Sequence, residues 1–318
     1  MTLATNTRAQ IRMLPDGRRL HLHDGPIDVI LEAFGKTDQI QLAYRAGANR
    51  FVNVLDELCT ELAYLRRPAR PDGPRPEGVV ARRMAAAVRP YASQTFITPM
   101  AAVAGAVAEE LLEVMISSAE LSKAFVNDGG DIALHLTPGE SFVVGMVQYP
   151  DRLMNPPFQN APEMRHPLPD IFGTTTIDFA QPIRGIATSG WRGRSFSLGI
   201  ADAVTVLADT AAMADAAATV VANAVDLPGH PRVRRVPARE LASDSDLGER
   251  LVTRAVGDLA ANEICDALGA GITVAESLRR RGLIQAAALT LQGEMQVVGT
   301  GSIQLSEKPI PDRRMIHA

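Results

Sequence analysis

The chain has 318 residues, 46% apolar and 21% charged, a globular composition with enough length to bury a sizeable core. A net charge of −4 and an aromatic share of only 4% exclude the basic, base-stacking face that nucleic-acid binding requires. No stretch reaches the roughly eighteen uninterrupted apolar residues of a membrane span, so no membrane partner is expected. The first residues carry no apolar leader, and Cys59 and Cys265 are too few for a zinc site or a disulfide framework. The sequence therefore reads as cytoplasmic.

Residues 9–28, "AQIRMLPDGRRLHLHDGPID", open as a hairpin turning at Pro15-Asp16-Gly17, with His21 and His23 on one solvent-facing side. Residues 26–66 read as helical, because apolar positions recur at three and four in "IDVILEAFG" and "FVNVLDELCTELAYL". The Pro/Arg/Gly stretch 66–78 is a loop. A helix follows from Pro99 to Met115, one side of it almost entirely Ala, Gly and Val, which implies a close neighbour such as a sheet. Two strands over 124–148 surround Gly129-Gly130, and 149–170 is a proline-rich irregular segment. "TTTIDFA" and "DAVTVLA" are strands, and 210–225 is an alanine-rich helix. The rest reads as a helix over 249–268, a short basic helix ending at "RRRG", and strand-like "AALTLQGEMQVVG". Strands and helices mix without regular βαβ alternation, so the fold class is α+β. Cys59 and Cys265 lie in apolar helical patterns and are expected to be buried thiols.

Three segments are too small and too polar for packing alone. In "VNDGGD" the double glycine is either a tight turn or a place where a ligand approaches the backbone, with Asn127 and Asp131 as polar contacts. In "ATSG" the hydroxyls of Thr188 and Ser189 precede a turn at Gly190 that is able to point backbone N–H groups at an anion. In "ADAAAT" Asp215 and Thr219 stand four apart on one helix face. A carboxylate and a hydroxyl so placed suit Mg²⁺, which prefers oxygen ligands; a buried Asp bonded to the Thr of its own helix is the alternative.

The ordered motifs "VNxGGDI", "IATSG", "VTVLA" and "ADAxAT" resemble those of the ApbE family, the FAD:protein FMN transferases, over roughly residues 98–225. The resemblance implies a single T-fold-like domain over 1–318, extended by an N-terminal hairpin and helix over about 1–66. It implies a flavin dinucleotide such as FAD bound through its pyrophosphate and Mg²⁺. Asp215 and Thr219 match the family's metal ligands. Asn127, Gly129, Gly130, Asp131, Thr188, Ser189 and Gly190 match positions lining the ligand site.

Two departures stand out. "WRGRSFSLGIAD" replaces a longer histidine-bearing segment, and Ala104 stands where the family carries a lysine. In the shortened segment Trp191 offers a ring for stacking, and Arg192 offers a two-pronged clamp for a carboxylate or phosphate. Arg192 and Asp131 are the candidates for chemistry. Three functions stay open: an ApbE-like Mg²⁺-dependent enzyme on a flavin nucleotide or similar small anionic ligand, a metal-assisted hydrolase of a small heterocyclic or carboxylate metabolite, and a non-catalytic flavin or metabolite binder. In each the partner is a small molecule, and self-association into a homo-oligomer is left open.

Overall fold

The computed structural model describes residues 8–147, 171–299, 304–305 and 316–317, so the proline-rich segment 149–170 lies outside the described residues. In chain order the elements begin with β1 (Gln10–Met13), β2 (Leu20–Asp24), β3 (Ile27–Gly35), α1 (Thr37–Thr60), α2 (Leu62–Leu65), α3 (Val79–Val88) and α4 (Val103–Ser118). Next come β4 (Leu121–Asp128), β5 (Asp131–Leu136), β6 (Ser141–Val147), β7 (Ile171–Asp178), β8 (Gly185–Ser189), β9 (Ala203–Ala208) and α5 (Ala211–Ala224). Last are β10 (Val233–Pro237), α6 (Ala238–Leu241), β11 (Leu251–Val256), α7 (Ala261–Arg280), β12 (Ala286–Leu291), β13 (Glu294–Val298), β14 (Gln304–Leu305) and β15 (Ile316–His317). Mixed helices and mainly antiparallel sheets make this an α+β protein, as the sequence implies. The chain divides into two compact units: Met1–Ser141 with Asp178–Ala187 and Ala208–Ala216, and Phe142–Ile177 with Thr188–Leu207 and Ala217–Ala318.

In the first unit β1, β2, β3, β4 and β5 follow one another antiparallel, and β5 also pairs Ile132 with Ile186 and Ala133 with Gly185. The opening hairpin turns where expected: Gly17 has φ +68°, and Asp16 Oδ1 accepts from the amides of Arg18 and Arg19 at 2.9 and 3.0 Å. His21 is not a free surface group, since its ring meets Asp28 and accepts from Arg12 Nε at 3.0 Å. Helix α1 buries Ala43, Tyr44, Gly47, Phe51, Val54 and Leu58, a stripe at threes and fours.

Two expectations are corrected in this unit. "IDVILEAFG" is a strand rather than a helix start, because Ile27, Val29 and Leu31 alternate inward and β3 finds partners on both sides, β2 and β4. Its apolar positions fit either period, and the two neighbouring strands decide. Cys59 is exposed, lying beside buried Leu58 but off the apolar stripe.

In the second unit β12 pairs antiparallel with β9 and with β13, β10 and β11 form a separate ribbon, and β7 and β6 lie within a four-stranded sheet ordered β14-β7-β6-β15. Residues 251–256, expected as helix, form β11, because its antiparallel partner β10 takes up its backbone groups. The helix begins only at Ala261 and runs unbroken to Arg280, joining the two segments read as separate helices. Its Cys265 is exposed as well, next to buried Ile264.

Candidate functional site

Helix α4 begins without a capping side chain of its own. Its N-cap position is Ala102, at the end of a 3₁₀ turn over Pro99–Ala102, so the amides of its first turn need acceptors from elsewhere. Asp215 of α5 supplies them: Gly105 N donates to Asp215 Oδ2 at 3.0 Å, and the Ala104 amide also bonds to this carboxylate. The exchange is mutual. Glu109 of α4 accepts the Ala212 amide at Oε2, 3.3 Å away, while Thr210 Oγ1 accepts the Met213 amide at 3.3 Å. Gly105 makes the crossing possible, since a Cβ there would lie 2.6 Å from the Ala211 carbonyl carbon and 2.9 Å from the Ala212 nitrogen. The Ala/Gly face of α4 thus meets the start of a helix as well as the strands β4 and β5.

Burial pushes the Asp215 carboxyl up, to about 7, and the negative charge of Asp128 pushes it the same way, against the amides of Gly105 and Ala104. Asp128 is buried at the last position of β4, directly before the glycine pair. Segment 127–131 and Asp215 are therefore brought close enough for their charges to interact. The glycines have a local reason too. Asp128 pairs with Asp131, Gly129 and Gly130 take φ +67° and +111°, and Asn127 Oδ1 accepts the Gly130 amide at 2.8 Å. A two-residue turn with both residues at positive φ is the tight hairpin connection that side chains resist. A Cβ on Gly130 would still meet nothing within 4 Å, so the turn borders open space. Sequence reasoning missed Asp128; its signal was a carboxylate ending a strand beside the turn. Thr219 stands one turn after Asp215 on α5, and both are half-buried. Among the described residues no group of three or more His, Cys, Asp or Glu side chains is arranged to hold a metal ion.

In the second unit the residues after β8 gather around Asp202, which is buried directly before β9. Its Oδ1 accepts from Arg192 Nε at 2.7 Å and from Trp191 Nε1 at 3.1 Å, and its Oδ2 accepts the Gln292 amide at 2.6 Å. The Arg192 guanidinium lies over the Trp191 ring, 4.6 Å from its centroid. Gly190 is required by this packing, because a Cβ there would sit 2.6 Å from the Asp202 carbonyl oxygen at a φ of +149°. Thr188 Oγ1 bonds Thr205 Oγ1 at 2.8 Å, Ser189 is half-buried beside it in sequence, and Arg194 is exposed. Trp191 and Arg192, expected to face a ligand, thus serve Asp202 first. Asp202 escaped sequence reasoning because an aspartate opening the apolar run "AVTVLA" reads as a strand terminus.

Among the described residues no helix is long and apolar enough to cross a membrane. A family model described as "AbpE bacteria" matches residues 11–297. A UPF0280 protein of Methanopyrus kandleri is 35% identical over 145 residues, 45% of this chain and 48% of that protein. A UPF0280 protein of Methanothrix thermoacetophila is 37% identical over 136 residues, 42% of this chain and 49% of its own. The chain thus spans about half the length of the curated relatives it matches. Among solved structures, a flavin transferase ApbE from Vibrio cholerae aligns over 92% of this chain and 98% of its own, at 12% identity and a TM-score of 0.34.

Proposed function

The chain belongs to the AbpE bacteria family, an ApbE-like family, and from that premise we propose that it is an Mg²⁺-dependent protein whose ligand is a flavin nucleotide such as FAD, or a similar small anionic heterocycle. The observation that carries this reading is the enclosure of two acids together: Asp215 is driven toward its neutral form by burial and by Asp128. A divalent cation relieves that repulsion. The donor set suits Mg²⁺, since Asp215 and Thr219 offer a carboxylate and a hydroxyl one helical turn apart, and Mg²⁺ prefers a few such oxygens completed by water and phosphate. The ion would supply charge neutralisation for a pyrophosphate.

In this reading Asn127, Gly129, Gly130 and Asp131 present the turn along which the ligand lies, with Asp131 beside the reacting group. Thr188, Ser189 and Gly190 are a second polar turn suited to an anion, and Trp191 and Arg192 follow it.

The reading stops short of standard flavin transfer. Breaking a phosphoanhydride builds charge that must be stabilised. Ala104 has no ammonium group to offer, and the segment from Trp191 to Asp202 has no histidine. Removing one such contributor lowers rates by about a hundredfold or more. The test is incubation with FAD, Mg²⁺ and an acceptor protein that ApbE transferases flavinylate, followed by in-gel fluorescence after denaturation. The expected result is little or no labelled acceptor, and robust labelling restores the transferase reading. The Arg192–Asp202 pair favours a second reading, a non-catalytic binder, because it engages the arginine best suited to chemistry.

A further inference from the structure

We propose that Glu109 is a positioning residue for Asp215, acting through the first turn of α5; the proposal rests on the reading of Asp215 as a cation ligand. Gly105 and Glu109 are one turn apart on α4, so the two contacts to α5 leave from the same face of that helix. Ala212 and Asp215 are three apart on α5 and likewise share a face. The two helices therefore hold each other through a closed pair of contacts, Asp215 to the Gly105 amide and Glu109 to the Ala212 amide.

Glu109 is itself fixed. Arg83 Nη1 holds its Oε1 at 2.6 Å, which leaves Oε2 aimed at Ala212. The same guanidinium reaches Glu110 and Glu113 at 3.3 Å each, and Arg50 Nε reaches Glu110 at 2.7 Å. Arg83 of α3 thus fixes the α4 side chain that caps α5, and Arg50 of α1 braces the neighbouring Glu110. Without Glu109 the Ala212 amide loses its acceptor, and the first turn of a helix frays when its amides are unsatisfied. Asp215 follows within that same stretch of chain, so its carboxylate leaves the α4 amides. Glu109 touches no reacting atom in this scheme; it sets where Asp215 stands.

The experiment compares the full chain with Glu109→Ala, Glu109→Gln and Glu113→Ala. Gln keeps the length of the side chain but has one acceptor oxygen for two donors, Arg83 and the Ala212 amide, and Glu113 is another partner of Arg83, one turn further along α4. The first readout is amide hydrogen exchange by NMR at Gly105, referenced to Val126 in the buried part of β4. The second is affinity for Mn²⁺ alone, standing in for Mg²⁺. Glu109→Ala should speed Gly105 exchange by about tenfold or more while leaving Val126 unchanged, and should weaken Mn²⁺ by a similar factor. Glu109→Gln should fall between Glu109→Ala and the original chain in both readouts, and Glu113→Ala should alter neither. Unchanged Gly105 exchange in Glu109→Ala, equal acceleration at Val126, or faster Gly105 exchange in Glu109→Gln than in Glu109→Ala would overturn the proposal. Absence of Mn²⁺ binding in the unmodified chain removes the cation reading instead, while Gly105 exchange still decides whether Glu109 places Asp215.

Discussion

A single methyl group on Gly105 tests the helix crossing at its tightest point. In Gly105→Ala the new Cβ would stand 2.6 Å from the Ala211 carbonyl carbon and 2.9 Å from the Ala212 nitrogen, both backbone atoms without a rotamer to move. Ordinary contact needs close to 3.5–4 Å, so the helices must part by about 1 Å. That shift stretches the 3.0 Å bond from Gly105 to Asp215 and the 3.3 Å bond from Ala212 to Glu109 beyond useful length. Overpacking contributes about 1–3 kcal/mol of destabilisation and the two lost caps about 1 kcal/mol each. Replacing glycine in a helix returns up to about 1 kcal/mol, which leaves a net loss of about 2–4 kcal/mol. Urea unfolding followed by circular dichroism reads this directly. Gly269→Ala is the control, because that α7 glycine has nothing within 4 Å of an added Cβ and should be neutral or gain up to about 1 kcal/mol. If the two variants behave alike, or if Gly105→Ala is as stable as the original chain, the crossing described here is wrong.

Asp202→Ala strips a common acceptor from Trp191 Nε1, Arg192 Nε and the Gln292 amide, and should cost about 3–5 kcal/mol. Because Trp191 is the one tryptophan, its emission should shift to the red at the same time, and an unchanged spectrum counts against this account of the cluster. Asp215 in the folded chain is raised from the ordinary carboxylate range to about 7, so between about pH 4 and 7 the folded form holds the proton more tightly than the unfolded one. Its contribution to stability is then present at low pH and is lost as pH rises through 7. Metal-free chemical unfolding should show that fall in the original chain and a flatter profile in Asp215→Asn, whereas parallel profiles contradict the shift. Cys59 and Cys265 are both exposed, so an aromatic disulfide reagent should titrate two thiols in the native protein, and slow or partial reaction would contradict that exposure.

The legible parts of the sequence were those where local chemistry suffices. The hairpin at Asp16-Gly17, the loop over 66–78, the alanine-rich helix and the α+β class all follow from turn residues and periodicity. Errors arose where one pattern served two structures. "IDVILEAFG" and "LVTRAV" hold apolar residues that fit helix or strand, and only their partners β2, β4 and β10 decide between them. The glycine pair reads in sequence as a ligand approach or a turn, and positive φ at both residues supplies the turn. What no sequence pattern carried was pairing across long separations. Asp215 caps Gly105 from 110 residues away and Glu109 caps Ala212 from 103, while Asp202 meets Gln292 across 90. Such contacts turn an aspartate in an apolar run from a strand terminus into the centre of a cluster. They also gave Arg192 a partner that its surroundings in sequence did not suggest.

The central claim is that Asp215 belongs to an Mg²⁺-dependent site for a flavin nucleotide. Isothermal titration of FAD into the full chain, with Mg²⁺ and again with a chelator, tests it most directly when repeated with Asp215→Ala. The account predicts saturable binding with Mg²⁺, weakened by about tenfold or more when either the metal or the carboxylate is removed, with the two losses failing to add because they act at one place. Equal FAD affinity with and without Mg²⁺, or an Asp215→Ala chain that responds to Mg²⁺ as the original does, would contradict it.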